Sequence, residues 1–199
     1  AATWVELPNL RDAANFVHPI MEAGAEACEL LVAPVMRRSA EHYAHAPKSW
    51  IDLDDDAAAL LVEVGGTDLA DLESAMERLK EVLKDAPLLR PLEFETTPEG
   101  MRGAWELRNG LYGLLGADRP NGTTYITEDV CFPPAEVGNA AADLLDLQHK
   151  YGYPESVMGH AAFGNLHFFL TPRFDLDEER ESYANFLDEL AELVIDKYQ

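Results

Sequence analysis

Cysteine is scarce: Cys28 and Cys131 are the only two in 199 residues, with no CxxC spacing, so neither a disulfide framework nor a cysteine-based zinc site is indicated. Positive charge is scarce too, with 15 Lys and Arg against 37 Asp and Glu and a formal net charge of -22. Such a surface repels nucleic acid and anionic lipid, whose recognition depends on clusters of Lys and Arg. No apolar run approaches the roughly 18 to 20 residues that a membrane helix requires. The opening "AATWVELPNL" has neither the basic nor the apolar region of a signal peptide. Gly65-Gly66 is followed by no phosphate-loop pattern, and neither a nucleophile elbow nor a Ser-His-Asp arrangement stands out. These absences point to a soluble, cytoplasmic chain with two buried thiols, and the acidity fits solubility or a salty habitat.

What is present suits a packed domain. With 47% hydrophobic and 26% charged residues, the chain is long enough to bury a core. Apolar spacing predicts helices over 10–25, 67–85, 98–115, 134–152 and 176–197, with Thr67 or Asp68 as one N-cap and Pro98 and Pro134 opening two others. Strands are predicted at 27–35, ended by Pro34, and at 57–66, 88–97 and 122–133, with a strand-turn-strand over "SVMGHAAFGNLHFFLTP". No clean internal repeat is visible. The expected fold class is α+β, an antiparallel sheet with helices on one face, related to the ferredoxin-like split βαβ.

The chemistry concentrates in "GHAAFGNLHFF", where His160 and His167 stand seven residues apart. On one straight strand an odd separation sends them to opposite faces. A turn centred on Phe163-Gly164 makes 160 face 167, placing the two imidazoles about 4.5 to 5.5 Å apart at Cβ. That geometry permits a shared metal and does not require one, because a catalytic zinc usually takes three protein ligands. Spacing alone favours two hydrogen-bonded histidines in an ordinary hairpin. Third-ligand candidates are Glu128, Asp129, His18, His42, His45 and His149, and nothing in the sequence selects among them. Arg108, in "WELRNGLYG", can bind a substrate carboxylate through its planar fork or pair with one of the many acids, and the charge balance favours pairing. Asp129 in "TEDVCFP" is an acid in an otherwise apolar strand, a position where burial demands a partner.

These residues carry a likeness. "GHAAFGNLHFFLTPRFD" resembles the "GHAGDGNLHF" segment in the C-terminal substrate, or cap, domain of FAD-linked oxidases, the group containing glycolate oxidase, D-lactate dehydrogenase and D-2-hydroxyglutarate dehydrogenase. "LLVEVGGTD" is similar to a strand of that domain. "WELRNGLYGLLGADRPNGTTYITEDVCFPP" is similar to its arginine-bearing helix and following strand. The likeness covers most of the chain, and three motifs in the same order make it specific. Ala162-Phe163 stands where Gly-Asp is usual, as in the members with a fused iron–sulfur domain that carry "HALAGNLHF".

The resemblance implies that residues 1–199 form one domain of a longer enzyme whose FAD-binding domain lies elsewhere in the parent chain. It implies that His160 and His167 bind a divalent metal, zinc being the first choice, with the third ligand in an "EHGTG" segment that this chain stops short of. It further implies that Arg108 binds the substrate carboxylate and that Asn165 faces the substrate or the flavin edge. Dicarboxylate-specific members have a lysine where this chain has Thr127. The expected activity is oxidation of a D-2-hydroxy acid such as D-lactate, with no catalytic residue inside the fragment, which by itself would bind neither FAD nor zinc tightly. The expected location is cytoplasmic, or membrane-associated through an electron acceptor, and the oligomeric state is left open. Two other readings compete: a stand-alone α+β module that binds a ligand or partner without redox chemistry, and a metal-dependent hydrolase with its third ligand inside the chain.

Overall fold

The structure, a computed structural model, describes residues 1–198. In chain order it runs β1 (Ala2–Leu7), α1 (Leu10–Glu22), β2 (Ala25–Val32), α2 (Ala33–His42), β3 (Ala58–Val64), α3 (Leu69–Val82), β4 (Phe94–Glu95) and α4 (Pro98–Ala117). It continues through β5 (Ile126–Cys131), α5 (Val137–Lys150), β6 (Met158–His160), β7 (Asn165–Leu170) and α6 (Asp177–Glu192). The strands form a seven-stranded sheet in the order β4-β1-β3-β2-β6-β7-β5, and every neighbouring pair is antiparallel.

Strand order explains the ferredoxin-like expectation. The β4-β1-β3-β2 half, with α1 and α3 as crossovers, is the split βαβ arrangement. The second half repeats the element order as β5-α5-β6-β7-α6 and lies in the sheet as β6-β7-β5, mirrored across the junction of β2 with β6. The fold therefore contains a structural repeat that leaves no trace in the residues. At the junction β2 and β6 pair only at Leu30 with Gly159 and Leu31 with Met158.

Alternation along the strands separates two environments. Val5, Leu30, Leu60, Val62 and Phe168 belong to the main core on one face, together with Val17, Ile20 and Ala13 of α1, Leu79 of α3, Leu144 of α5 and Phe186 of α6. On the other face, Ala2 and Leu61 cluster with Ala104 of α4. Two tethers lay α4 across that face: Trp105 Nε1 donates to Glu63 Oε2 at 2.6 Å, and Arg108 Nε donates to Glu29 Oε2 at 2.9 Å. The expected helix-covered face is present, and α4 is an added layer on the opposite one.

Three segments differ from the sequence-based expectation. Residues 2–7 form β1, a strand that was not predicted; it is buried on both faces, so its apolar pattern does not alternate. The strand predicted at 27–35 ends at Val32. Pro34 sits in the first turn of α2, where a missing N–H leaves no bond unmade, so it opens a helix instead of merely closing a strand. The strand predicted at 88–97 contracts to Phe94–Glu95, because Pro91 cannot donate to a ladder. The caps follow expectation more closely: Asp68 accepts from the Asp71 amide and Thr97 from the Gly100 amide.

Candidate functional site

The hairpin that carries the histidines turns more widely than predicted. Ala161–Phe163 make a single 3-10 turn and Gly164 follows in the left-handed region at φ 75°. His160 consequently pairs with Asn165, and His167 pairs with Met158, a shift of two residues from the predicted facing pair. A shift of two preserves the face, so the imidazoles become diagonal neighbours, with ring centroids 5.5 Å apart and planes at 74°. Gly159 makes this close packing possible. A Cβ there would lie 2.3 Å from the Asn165 carbonyl oxygen and 2.8 Å from Leu166 Cα.

Glu29, absent from the expected site, organises it. Register places Glu29 opposite Leu61, on the face that α4 covers, and its side chain is only 6% exposed. One oxygen, Oε1, lies 2.8 Å from His160 Nδ1. The other, Oε2, takes Arg108 Nε at 2.9 Å and Arg108 Nη2 at 2.8 Å. The same Nη2 reaches His167 Nε2 at 3.2 Å. Arg108, His160 and His167, named separately from the sequence, are thus joined through a carboxylate that was not. A lone glutamate in the apolar run "CELLV" was the available signal, since a charge in a strand buried on both faces must be paired.

Polarity fixes the hydrogen positions around His167. A guanidinium has only donors, so Nε2 must accept, and the ring is the neutral Nδ1–H form. Burial, the Arg108 charge and His160 all hold the His167 pKa below the ordinary imidazole value, against a weaker pull from Asp129 and Glu29. Asp129 Oδ1 stands 3.9 Å from Nδ1, the side to which the proton points. Asn165 shares the face and donates from Nδ2 to Asp129 Oδ1 at 2.5 Å. It therefore borders the site without touching either histidine through a hydrogen bond among the described residues.

The remaining ligand candidates lie elsewhere. Glu128 faces α6 and accepts from Tyr183, His18 pairs with Glu22 on α1, and His149 pairs with Glu155 beyond α5. His42 caps its own helix carbonyl at Arg38, and His45 stacks on Tyr43. Among the described residues, no three His, Cys, Asp or Glu side chains are arranged to hold a metal ion. The donor chemistry agrees: the one lone pair of His167 is directed at a guanidinium, and a third ligand is missing. The expected divalent metal therefore finds two imidazoles here and no complete site.

Comparison with known proteins bears on this geometry. The chain matches the family described as FAD linked oxidases, C-terminal domain, over residues 1–197. It is 22% identical over 198 residues to mitochondrial D-lactate dehydrogenase [cytochrome] of Kluyveromyces lactis, covering 96% of this chain and 33% of that protein. The chain thus spans about a third of the relative's length. Among solved structures, p-cresol methylhydroxylase with substrate bound superimposes with a TM-score of 0.61 at 15% identity, over 96% of this chain and 42% of that one. Alkyldihydroxyacetonephosphate synthase gives 0.59 at 11% identity, over 99% of this chain and 43% of that one. At such identities the structural likeness speaks for the fold. No helix among the described residues is long and apolar enough to cross a membrane. With its sheet, its helix-borne arginine and its histidine hairpin accounted for, the chain belongs to the C-terminal domains of the FAD-linked oxidases.

Proposed function

We propose that this chain is the substrate domain of a longer flavin-dependent dehydrogenase that oxidises a D-2-hydroxy acid such as D-lactate. The observation that carries the reading is the meeting of Arg108, His160 and His167 on one face of the sheet, around buried Glu29. Arg108 Nη1 donates no hydrogen bond among the described residues, which leaves a cationic donor for a carboxylate. His160, whose Nε2 takes no hydrogen bond among the described residues, orients the substrate hydroxyl, and Asn165 borders the same space. FAD, held mainly by a separate domain of the parent chain, would supply the two-electron oxidising capacity when bound. The family match and the D-lactate dehydrogenase relative support this assignment.

Fold likeness to p-cresol methylhydroxylase would equally suit a phenol. The Arg108 Nη1 donor left over by Glu29 and His167 favours an acid over a phenol, because a charge-assisted hydrogen bond to a carboxylate is stronger than one to a neutral hydroxyl. The absence of a lysine at Thr127 favours a single carboxylate. The deciding experiment follows flavin bleaching in the flavin-containing parent protein with D- and L-2-hydroxy acids and 4-alkylphenols. D-2-hydroxy acids are expected to bleach the flavin. Arg108→Ala is expected to raise KM roughly 10- to 100-fold, the equivalent of one charged hydrogen bond. Wild-type behaviour of both Arg108→Ala and His160→Ala would remove the site assignment, and bleaching by phenols alone would remove the substrate class.

A further inference from the structure

Glu29 has no assigned part in the chemistry proposed above, yet its two oxygens hold both residues that would meet the substrate. We infer that Glu29 is the positioning residue of this site, fixing the guanidinium plane of Arg108 with one oxygen and the ring orientation and proton placement of His160 with the other. The inference rests on the reading of Arg108 and His160 as the substrate-facing pair.

Charge neutralisation alone does not explain the arrangement. A buried carboxylate needs a cation, and Arg108 supplies it through two nitrogens on a single oxygen, Oε2. The second oxygen is spent on His160, whose side chain is 45% exposed and can be solvated by water without it. What that contact adds is direction. An ionised carboxylate only accepts, so His160 Nδ1 must carry the hydrogen. In the neutral ring the lone pair is then on Nε2, which diverges from Glu29. The same elementary rule gives the opposite availability at His167, where the Nε2 lone pair is already taken by Arg108 Nη2. Both rings are Nδ1–H tautomers, but only His160 has a free acceptor. Glu29 thereby selects which of two adjacent histidines presents a lone pair to a ligand. A carboxylate set behind a histidine to choose its tautomer is a general device for orienting catalytic and ligating imidazoles.

Glu29→Gln tests this sharply, because an amide has one accepting and one donating end. Arg108 cannot accept, so it requires the amide oxygen, and the amide NH2 is left facing His160 Nδ1. The proton of His160 is then driven to Nε2. Long-range proton–nitrogen correlation spectra of the 15N-labelled chain, without ligand or flavin and at a pH where the rings are neutral, read the tautomer of each histidine directly. In the wild type His160 is expected to show a protonated Nδ1 and an unprotonated Nε2. In Glu29→Gln the two resonances are expected to exchange character while His167 keeps its pattern, and Glu29→Asp, with two accepting oxygens, is expected to retain the wild-type form. An unchanged His160 in folded Glu29→Gln overturns the inference. If that variant does not fold, the wild-type spectrum decides, since a proton on Nε2 of His160 overturns it equally. No substrate enters this measurement, so a wrong substrate class and a wrong role for Glu29 give different failures.

Discussion

A neutral imidazole held beside an arginine makes the state of His167 sensitive to acid. Its folded pKa lies below the unfolded value of about 6.5, so the unfolded chain takes up a proton that the folded chain resists. The sign follows: stability is unaffected well above that value and declines as pH falls below it. His167→Gln is expected to flatten this decline relative to wild type, read as urea midpoints from pH 8 to pH 5. Equal slopes in the two proteins would mean that the half-buried ring is not the group that titrates. Much of the site could be read from the residues, for Arg108, His160, His167 and Asn165 do share one face. Glu29 was missed because the glutamate of a strand buried on both sides carries no periodic mark, and only its chemical incongruity among apolar neighbours betrays it. The facing of the histidines was read correctly for an incomplete reason, since shifting a register by two residues leaves side-chain direction unchanged.

At the scale of elements, the hairpin of β6 and β7 depends on the lack of a side chain at Gly159. A methyl group there would meet backbone atoms at 2.3 and 2.8 Å, and neither can turn aside as a flexible side chain would. Gly159→Ala is expected to destabilise the fold by about 1–3 kcal/mol, the usual range for overpacking, and to weaken the His160–Glu29 contact in the same step. Chemical denaturation gives the first quantity. A loss under 0.5 kcal/mol or so would show that the strands separate easily to make room. The long helices were legible because one buried face repeats at the helical period, as in α1 with Leu10, Ala13, Val17 and Ile20. β1 was not, because Glu6 lies buried against the Trp50 indole and Arg90 and so breaks the rule that a buried strand reads as apolar. α2 was hidden by Pro34, whose ring stops a strand and starts a helix with equal ease.

For the whole molecule, 37 acidic against 15 basic residues means that the folded state gathers like charges. Added salt screens them, with a Debye length shrinking from roughly 10 Å at 0.1 M to 3 Å at 1 M. The thermal midpoint is accordingly expected to rise with sodium chloride over that range, and a level or falling midpoint would place the acidity outside self-repulsion. The mirrored halves of the sheet have a further consequence, for the kinetics of folding. Glu29 and His160 are 131 residues apart in sequence, and Arg108 and Glu29 are 79 apart. Such contacts reward the chain only after long loops have closed, so they belong to the late steps of assembly. Either half could collapse around its own helices beforehand, with Glu29 still in water and His160 free to rotate. The narrow junction at Leu30–Gly159 and Leu31–Met158 is where the two collapsed halves meet. A chain that has not joined there carries the histidine hairpin without the Glu29 contacts that tie it to Arg108.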